Sequence, residues 1–181
     1  VVLAVLAVRY AGSLAARSSW SALLWWVFGG SLAWMLSLAL VDGLAGIGTI
    51  LDSSYEYLRT ARSVTDIGAT LREYVSRIPF SAEDNWPVHI AGHPPGALLF
   101  FVGLVRIGLG SGLAAGFVVT LIAASSAVAV LITLRRLGAE QAARRAAPLI
   151  ALGPAAIWMA VSADAMFAAV AAVYAMGQAL S

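Results

Sequence analysis

The sequence predicts an all-α, polytopic bundle of membrane-spanning helices with one polar loop held outside it, and three observations predict this. The 181 residues are 61% hydrophobic and only 11% charged, about half the charge of an ordinary soluble domain. Mean hydropathy is +0.90. The apolar residues gather into runs, several near the roughly 20 residues that a bilayer core requires. So few charges cannot cover a water-facing surface, which disfavours a soluble enzyme, a disordered tail and a nucleic-acid-binding domain. All eleven basic residues are Arg, so neither a Schiff-base lysine nor a Walker-type phosphate loop is available. With no Cys there is no thiol chemistry. The chain opens on Val1 and stops inside an apolar run at Ser181, and so reads as a piece of a larger protein.

The elements follow in order. Residues 1–8 read as the end of a span, followed by a polar stretch with Arg9 and Arg17. Residues 20–41 form a full span with Trp20, Trp25 and Trp26 near one end, where aromatic belts sit. Residues 113–134 form a second, closed by Arg135 and Arg136. Residues 146–161 and 165–181 read as a hairpin of spans around Ser162, Ala163 and Asp164. The run 94–109 opens on two prolines and carries Arg106. Reading it as interfacial or re-entrant, inside an outer loop of residues 42–112, puts Arg9, Arg17, Arg135, Arg136, Arg144 and Arg145 on one side, as the positive-inside rule prefers. Against Glu140 these give +5 inside, while seven acids and four Arg between Asp42 and Asp84 give −3 outside. Function is expected in that outer loop.

Within the loop, Tyr57, Ala61, Val64, Gly68, Leu71 and Val75 recur at helical spacing, which predicts a helix lying on the membrane surface, divided near Gly68. On such a helix Asp52 and Glu56 point the same way, and Arg59 shares their face. A solvated face with weak ion pairs is the plain alternative. Asp52 stands out because it lies where a span hands over to the loop, and acids at that depth are costly. The segment AEDNWPVHIAGHPPG (82–96) is a rigid turn, and its spacing of His89 and His93 does not fit a helical metal pair. Pro94 holds His93 extended. Trp86 suits either an interfacial anchor or a ligand platform. Asp164 sits in a hairpin tip, where it either caps the next helix or joins Asp52 in positioning and deprotonating a hydroxyl.

Three segments together, LDSSYEYLRTA, GHPPGALL and ALGPAAIWMAVSADAMF, resemble the membrane-embedded GT-C class glycosyltransferases that use polyprenyl-phosphate sugars, the protein O-mannosyltransferase-like members above all. The resemblance covers roughly residues 35–175. It departs where Ser53 follows Asp52 in place of a second acid and where Gly96 follows the prolines in place of Leu. The GHPPG turn is also similar to that of actinobacterial-type membrane proteins. The resemblance implies an inverting transfer at the outer face of a bacterial plasma membrane. Asp52 would be the base, with Glu56 next in line, and Arg59 and Arg62 would meet the departing phosphate. His93 would orient the donor phosphate or the base, with His89 beside it as a substrate contact. Asp164 would hold acceptor or base. Implied partners are the lipid bilayer, a polyprenyl-phosphate-linked sugar, and a glycan, lipid or protein acceptor of the cell envelope, with no nucleic acid. The cofactor is left open; Asp52 and Asp164 are the ligands expected if a divalent metal ion takes part. Two other readings are a non-catalytic membrane scaffold, for which the Gly- and Ala-rich faces suffice, and a transporter, which would place charge within the spans.

Overall fold

The computed structural model describes residues 2–181, all of it helix, turn and loop, with no strand among the described residues. The α-helices in chain order are α1 Val2–Arg17, α2 Trp20–Ala39, α3 Ala45–Gly48, α4 Tyr57–Ser63, α5 Ile67–Glu73, α6 Val88–Ala91, α7 Pro95–Arg106, α8 Gly112–Arg136, α9 Glu140–Leu152, α10 Ala156–Met159 and α11 Ala163–Leu180. Among the described residues, three segments are long and apolar enough to cross a membrane: Trp20–Asp42, Gly112–Arg136 and Ala163–Leu180. The chain divides into two compact units. The apolar unit comprises residues 1–41 and 119–181, and the polar unit residues 42–118.

The apolar unit is held by small-residue packing. Ala143, Ala147 and Ala151 recur every fourth residue along α9 and are buried with Ala15, Leu23, Val27, Ala127 and Leu131. Alanines at that spacing let helix backbones approach closely, which is how helices gain dispersion contact where lipid removes the hydrophobic drive. A second cluster joins Met35, Ala123, Ala124, Ala156 and Ala165.

One end of this unit is basic. Arg144 donates from Nη1 to the carbonyls of Ala15 (3.0 Å) and Ser18 (2.9 Å), satisfying groups orphaned where α1 ends. It also pairs with Glu140 at 2.9 Å. Glu140 receives Arg135 at 3.0 Å on its other oxygen, and the Arg135 guanidinium lies 4.6 Å from the Trp20 ring centre. A forked, planar cation serves several acceptors and a ring together, which an ammonium cannot. Farther along α2, the Trp34 indole donates to the Gly153 carbonyl at 3.3 Å. Fourteen residues of helix separate the two tryptophans, about 20 Å. The arginine cluster and the link preceding Asp164 therefore lie toward opposite ends of α2.

Two expected spans differ. The run 146–161 is not one helix: α9 starts earlier, at Glu140, includes Arg144 and Arg145, contains Pro148 and ends before Gly153 and Pro154. Its 13 residues reach about 20 Å, short of a roughly 30 Å bilayer core. The turn of α10 follows, and then Val161 in the left-handed region at φ 56°, a strained setting for a β-branched residue. Nor does helix end at residue 8, because α1 continues through Arg9 and Ser13 to Arg17.

The polar unit is a folded assembly of short helices rather than one surface helix. The expected helix over 52–75 breaks before Gly68, at Val64–Asp66, because the Asp66 carboxylate accepts from the Ala69 amide at 3.0 Å and starts α5 afresh. Helix α7 begins with Pro95 in its first turn, where a missing N–H costs nothing. At 12 residues, about 18 Å, it is too short to cross. It packs along α4, with Leu98, Phe101 and Val102 buried.

Candidate functional site

The site is built around α4, which the chain enters through Glu56. This residue holds the N-cap position with extended backbone, yet its side chain makes no capping bond. Its carboxylate reaches His89 of α6 instead, with Oε1 3.0 Å from Nδ1. The Glu56 side chain is 12% exposed and that of His89 45%, so the acid lies behind and the imidazole in front. Bonding a carboxylate requires a proton on Nδ1, which leaves Nε2 as the lone-pair nitrogen of the neutral ring.

The next residue does the same for the second histidine. Tyr57 is fully buried and stacked on Phe101, centroids 5.0 Å apart and planes 11° apart. The Nδ1 of His93 lies 2.7 Å from the carbonyl of His89 and 2.8 Å from the Tyr57 hydroxyl, which also donates to that carbonyl at 3.2 Å. A carbonyl only accepts, so His93 also carries its proton on Nδ1. Residues Glu56, Tyr57, His89 and His93 thus form one constellation of two oriented imidazoles.

Beneath it, Tyr74 donates its hydroxyl to the carbonyls of Ile90 (2.7 Å) and His93 (2.9 Å), pinning the turn that carries both histidines. Burial raises the Tyr74 phenol above its ordinary range. Trp86 donates to the Tyr74 carbonyl at 2.8 Å and is covered by Arg77, 3.5 Å from its ring centre. Trp86 is therefore a buried brace and neither an interfacial anchor nor an open platform. Tyr74→Phe leaves two carbonyls without their buried donor. It is expected to lower stability by about 1–3 kcal/mol, read as a lower unfolding midpoint with faster amide exchange over 88–93.

The two arginines of α4 are tied down. Arg62 pairs with Asp52 at 2.6 Å and donates from Nε and Nη2 to the Gly110 carbonyl at 3.0 and 2.7 Å. Arg59 donates from Nε to the Asp52 carbonyl at 2.7 Å and is exposed. Asp52 closes a 3₁₀ turn, Ile50–Asp52, and Ser53 is extended, so Asp52 and Glu56 do not share a helix face as their spacing suggested. Asp52 instead meets the start of α8. A Cβ on Gly112 would fall onto the Gly48 carbonyl oxygen and 2.5 Å from Asp52 Oδ2.

Asp164 belongs to the apolar unit. It is exposed in the first turn of α11, where a carboxylate suits the helix dipole, and its amide donates to the Ser162 hydroxyl at 3.1 Å. Ser162, not Asp164, is the N-cap of that helix. No three His, Asp or Glu gather closely enough among the described residues to hold a metal ion.

A polar pocket of about 270 Å³ opens beside the α4–α5 break, with Thr60, Thr65, Asp66, Glu73 and Pro87 in its wall. The Ala69 amide, more than any other influence, holds the Asp66 carboxyl below the usual aspartate range. A depressed folded value stabilises above the unfolded aspartate pKa of about 3.9, and that contribution is lost as pH falls through the folded value. Exchange at Ala69 and Thr70 should therefore accelerate selectively on acidification below that range, and Asp66→Asn should flatten the response.

The Glu56–His89 pairing joins residues far apart in sequence, and no local pattern announces it. The nearest signal was the i,i+4 spacing of the two histidines. Tyr57, Tyr74 and Gly112 carried no functional signal either. Comparison with protein-family models, curated proteins and solved structures finds no match for this chain.

Proposed function

We propose that this chain is the membrane-embedded part of an inverting glycosyltransferase, acting at the outer face of a bacterial plasma membrane. It would move a sugar from a polyprenyl-phosphate donor to an acceptor hydroxyl of the cell envelope. The observation that carries the reading is the Glu56–His89 pair: a largely covered carboxylate orienting a more exposed imidazole is the arrangement of a general base. The motif resemblance and the three apolar helices supply the lipid-linked donor class.

In this mechanism the acceptor oxygen attacks the anomeric carbon as its proton passes to Nε2 of His89. The bond from that carbon to the phosphate oxygen breaks, and polyprenyl phosphate leaves. Glu56 stabilises the resulting imidazolium. Arg59 offers the guanidinium nitrogens beyond its Nε to the departing phosphate. Asp52 holds Arg62 and Arg59 in place. With Oδ1 engaged by Arg62 it serves here as a positioning residue, and the base is assigned to His89. His93, locked by Tyr57, orients the donor phosphate. The hydroxyl-lined pocket beside α4 and α5 takes the acceptor.

The test is transfer by the full-length protein in proteoliposomes supplied with a radiolabelled polyprenyl-phosphate sugar and a cell-envelope extract. Labelled product with equimolar release of polyprenyl phosphate is expected. Folded protein that transfers nothing from any polyprenyl-phosphate pentose or hexose would overturn the reading in favour of a scaffold. Counter-transport of an ion or solute without product would favour a transporter.

A further inference from the structure

Helices α2 and α8 leave between them a groove of about 490 Å³, lined by Ser21, Leu24, Trp25, Phe28, Ser125 and Val128. The α2 residues fall at i, i+3, i+4 and i+7, one stripe of the helix. A neighbouring stripe, Leu23, Val27, Ser31 and Met35, is buried in the bundle. Trp25 and Phe28 meet edge to face, centroids 6.5 Å apart, and form an aromatic wall. The Ser125 hydroxyl donates to the Ile122 carbonyl within its own helix at 2.6 Å, so the wall presents little unsatisfied polarity. Both helices are long and apolar enough to span a membrane.

The groove has a charged end. Trp20, immediately before Ser21, lies beneath Arg135, and Arg136 is exposed beside it at the end of α8. From Val128 to Arg135 is seven residues of helix, about 10 Å. Arg135 uses Nε for Glu140, and its side chain is 45% exposed. A guanidinium has further donors in the same plane. The basic residues at this end outnumber Glu140 well beyond local neutrality.

We propose that this groove binds one anionic phospholipid, its phosphate on Arg135 and Arg136 and one acyl chain along Trp25 and Phe28. An apolar slot alone would accept any tail. The arginines at its mouth select the negative headgroup, as basic clusters at the membrane surface do. The site is independent of the transferase reading and lies in the unit that carries none of the proposed catalytic groups.

The test uses the full chain in bilayers of phosphatidylcholine with increasing phosphatidylglycerol, one lipid at a time carrying bromine on its acyl chains. The fluorescence of Trp25 is isolated as the difference between wild type and Trp25→Phe. Brominated phosphatidylglycerol should quench that component at a several-fold lower mole fraction than brominated phosphatidylcholine. Arg136→Gln, at an exposed position, should cut the preference roughly fivefold, and the double change with Arg135→Gln should abolish it. Ser125→Phe fills the slot and leaves the charges, and should remove preferential quenching at unchanged helix content. Equal quenching by the two lipids would overturn the proposal, as would a preference that survives the double change. Trp25 shielded from both lipids would overturn it too, by showing that a second copy or another segment covers the groove.

Discussion

Gly112→Ala is expected to destabilise the polar unit by more than about 3 kcal/mol, beyond the usual 1–3 kcal/mol cost of overpacking. The reason is the identity of the neighbours. The added methyl would land on the Gly48 carbonyl, which is backbone, and on the Asp52 carboxylate. No rotamer change clears a backbone carbonyl, so the start of α8 must part from α3 and the 3₁₀ turn after it. Asp52 moves with that turn, and the ion pair to Arg62 opens. Hydrogen exchange should rise over 48–52 and at Gly110, whose carbonyl Arg62 holds. Gly103→Ala is the control. Nothing lies within 4 Å of a Cβ there, and the position is inside α7. That change should stabilise by about 0.5–1 kcal/mol through helix propensity alone. Equal effects of the two changes would show that the close approach at Gly112 carries no constraint.

His89→Gln and Glu56→Gln are expected to separate base from orienter in the proposed transfer reaction. His89→Gln removes the proton acceptor and should lower kcat roughly 100-fold to 10,000-fold, the span of general-base contributions. Glu56→Gln keeps a carbonyl for the Nδ1 bond and loses only the charge that supports the imidazolium. It should lower kcat by roughly 100-fold with KM nearly unchanged. The double change should cost little more than His89→Gln alone, because the pair acts as a unit. Asp52→Asn weakens the hold on Arg62 and should chiefly raise KM for the donor. Were Asp52→Asn to abolish kcat while Glu56→Gln left it intact, the base would be Asp52 and the dyad only structural.

The parts of this fold legible in the sequence are those that one continuous stretch decides. The apolar runs 20–41, 113–134 and 165–181 predict spans, and α2, α8 and α11 occupy nearly those bounds, because length and hydropathy are local properties. The run 146–161 misled for a physical reason. An alanine-rich stripe that packs on α1 and α2 is as apolar in composition as a lipid-facing run. Its helix starts among charges and ends at Gly153 and Pro154. In the polar unit, the histidine spacing and the proline turn were visible. The contacts that give them meaning, Glu56 to His89, Tyr57 to His93 and Arg62 to Gly110, join residues 33, 36 and 48 apart. Only the packing of α4 against α7 brings them together, and nothing local encodes it. The equivalence of Asp52 and Glu56 failed because it assumed one helix where the chain makes a 3₁₀ turn, an extended step and then α4.

In the proposed reaction the polar unit holds the donor phosphate next to the Glu56–His89 pair. The most direct measurement is photolabelling of the full-length protein in proteoliposomes with a polyprenyl-phosphate sugar bearing a photoreactive group on the sugar, followed by peptide mapping. Label is expected within residues 52–62 and 86–96, lost when excess polyprenyl phosphate competes. Label confined to residues 1–41 and 119–181, or label that excess polyprenyl phosphate fails to displace, would contradict it.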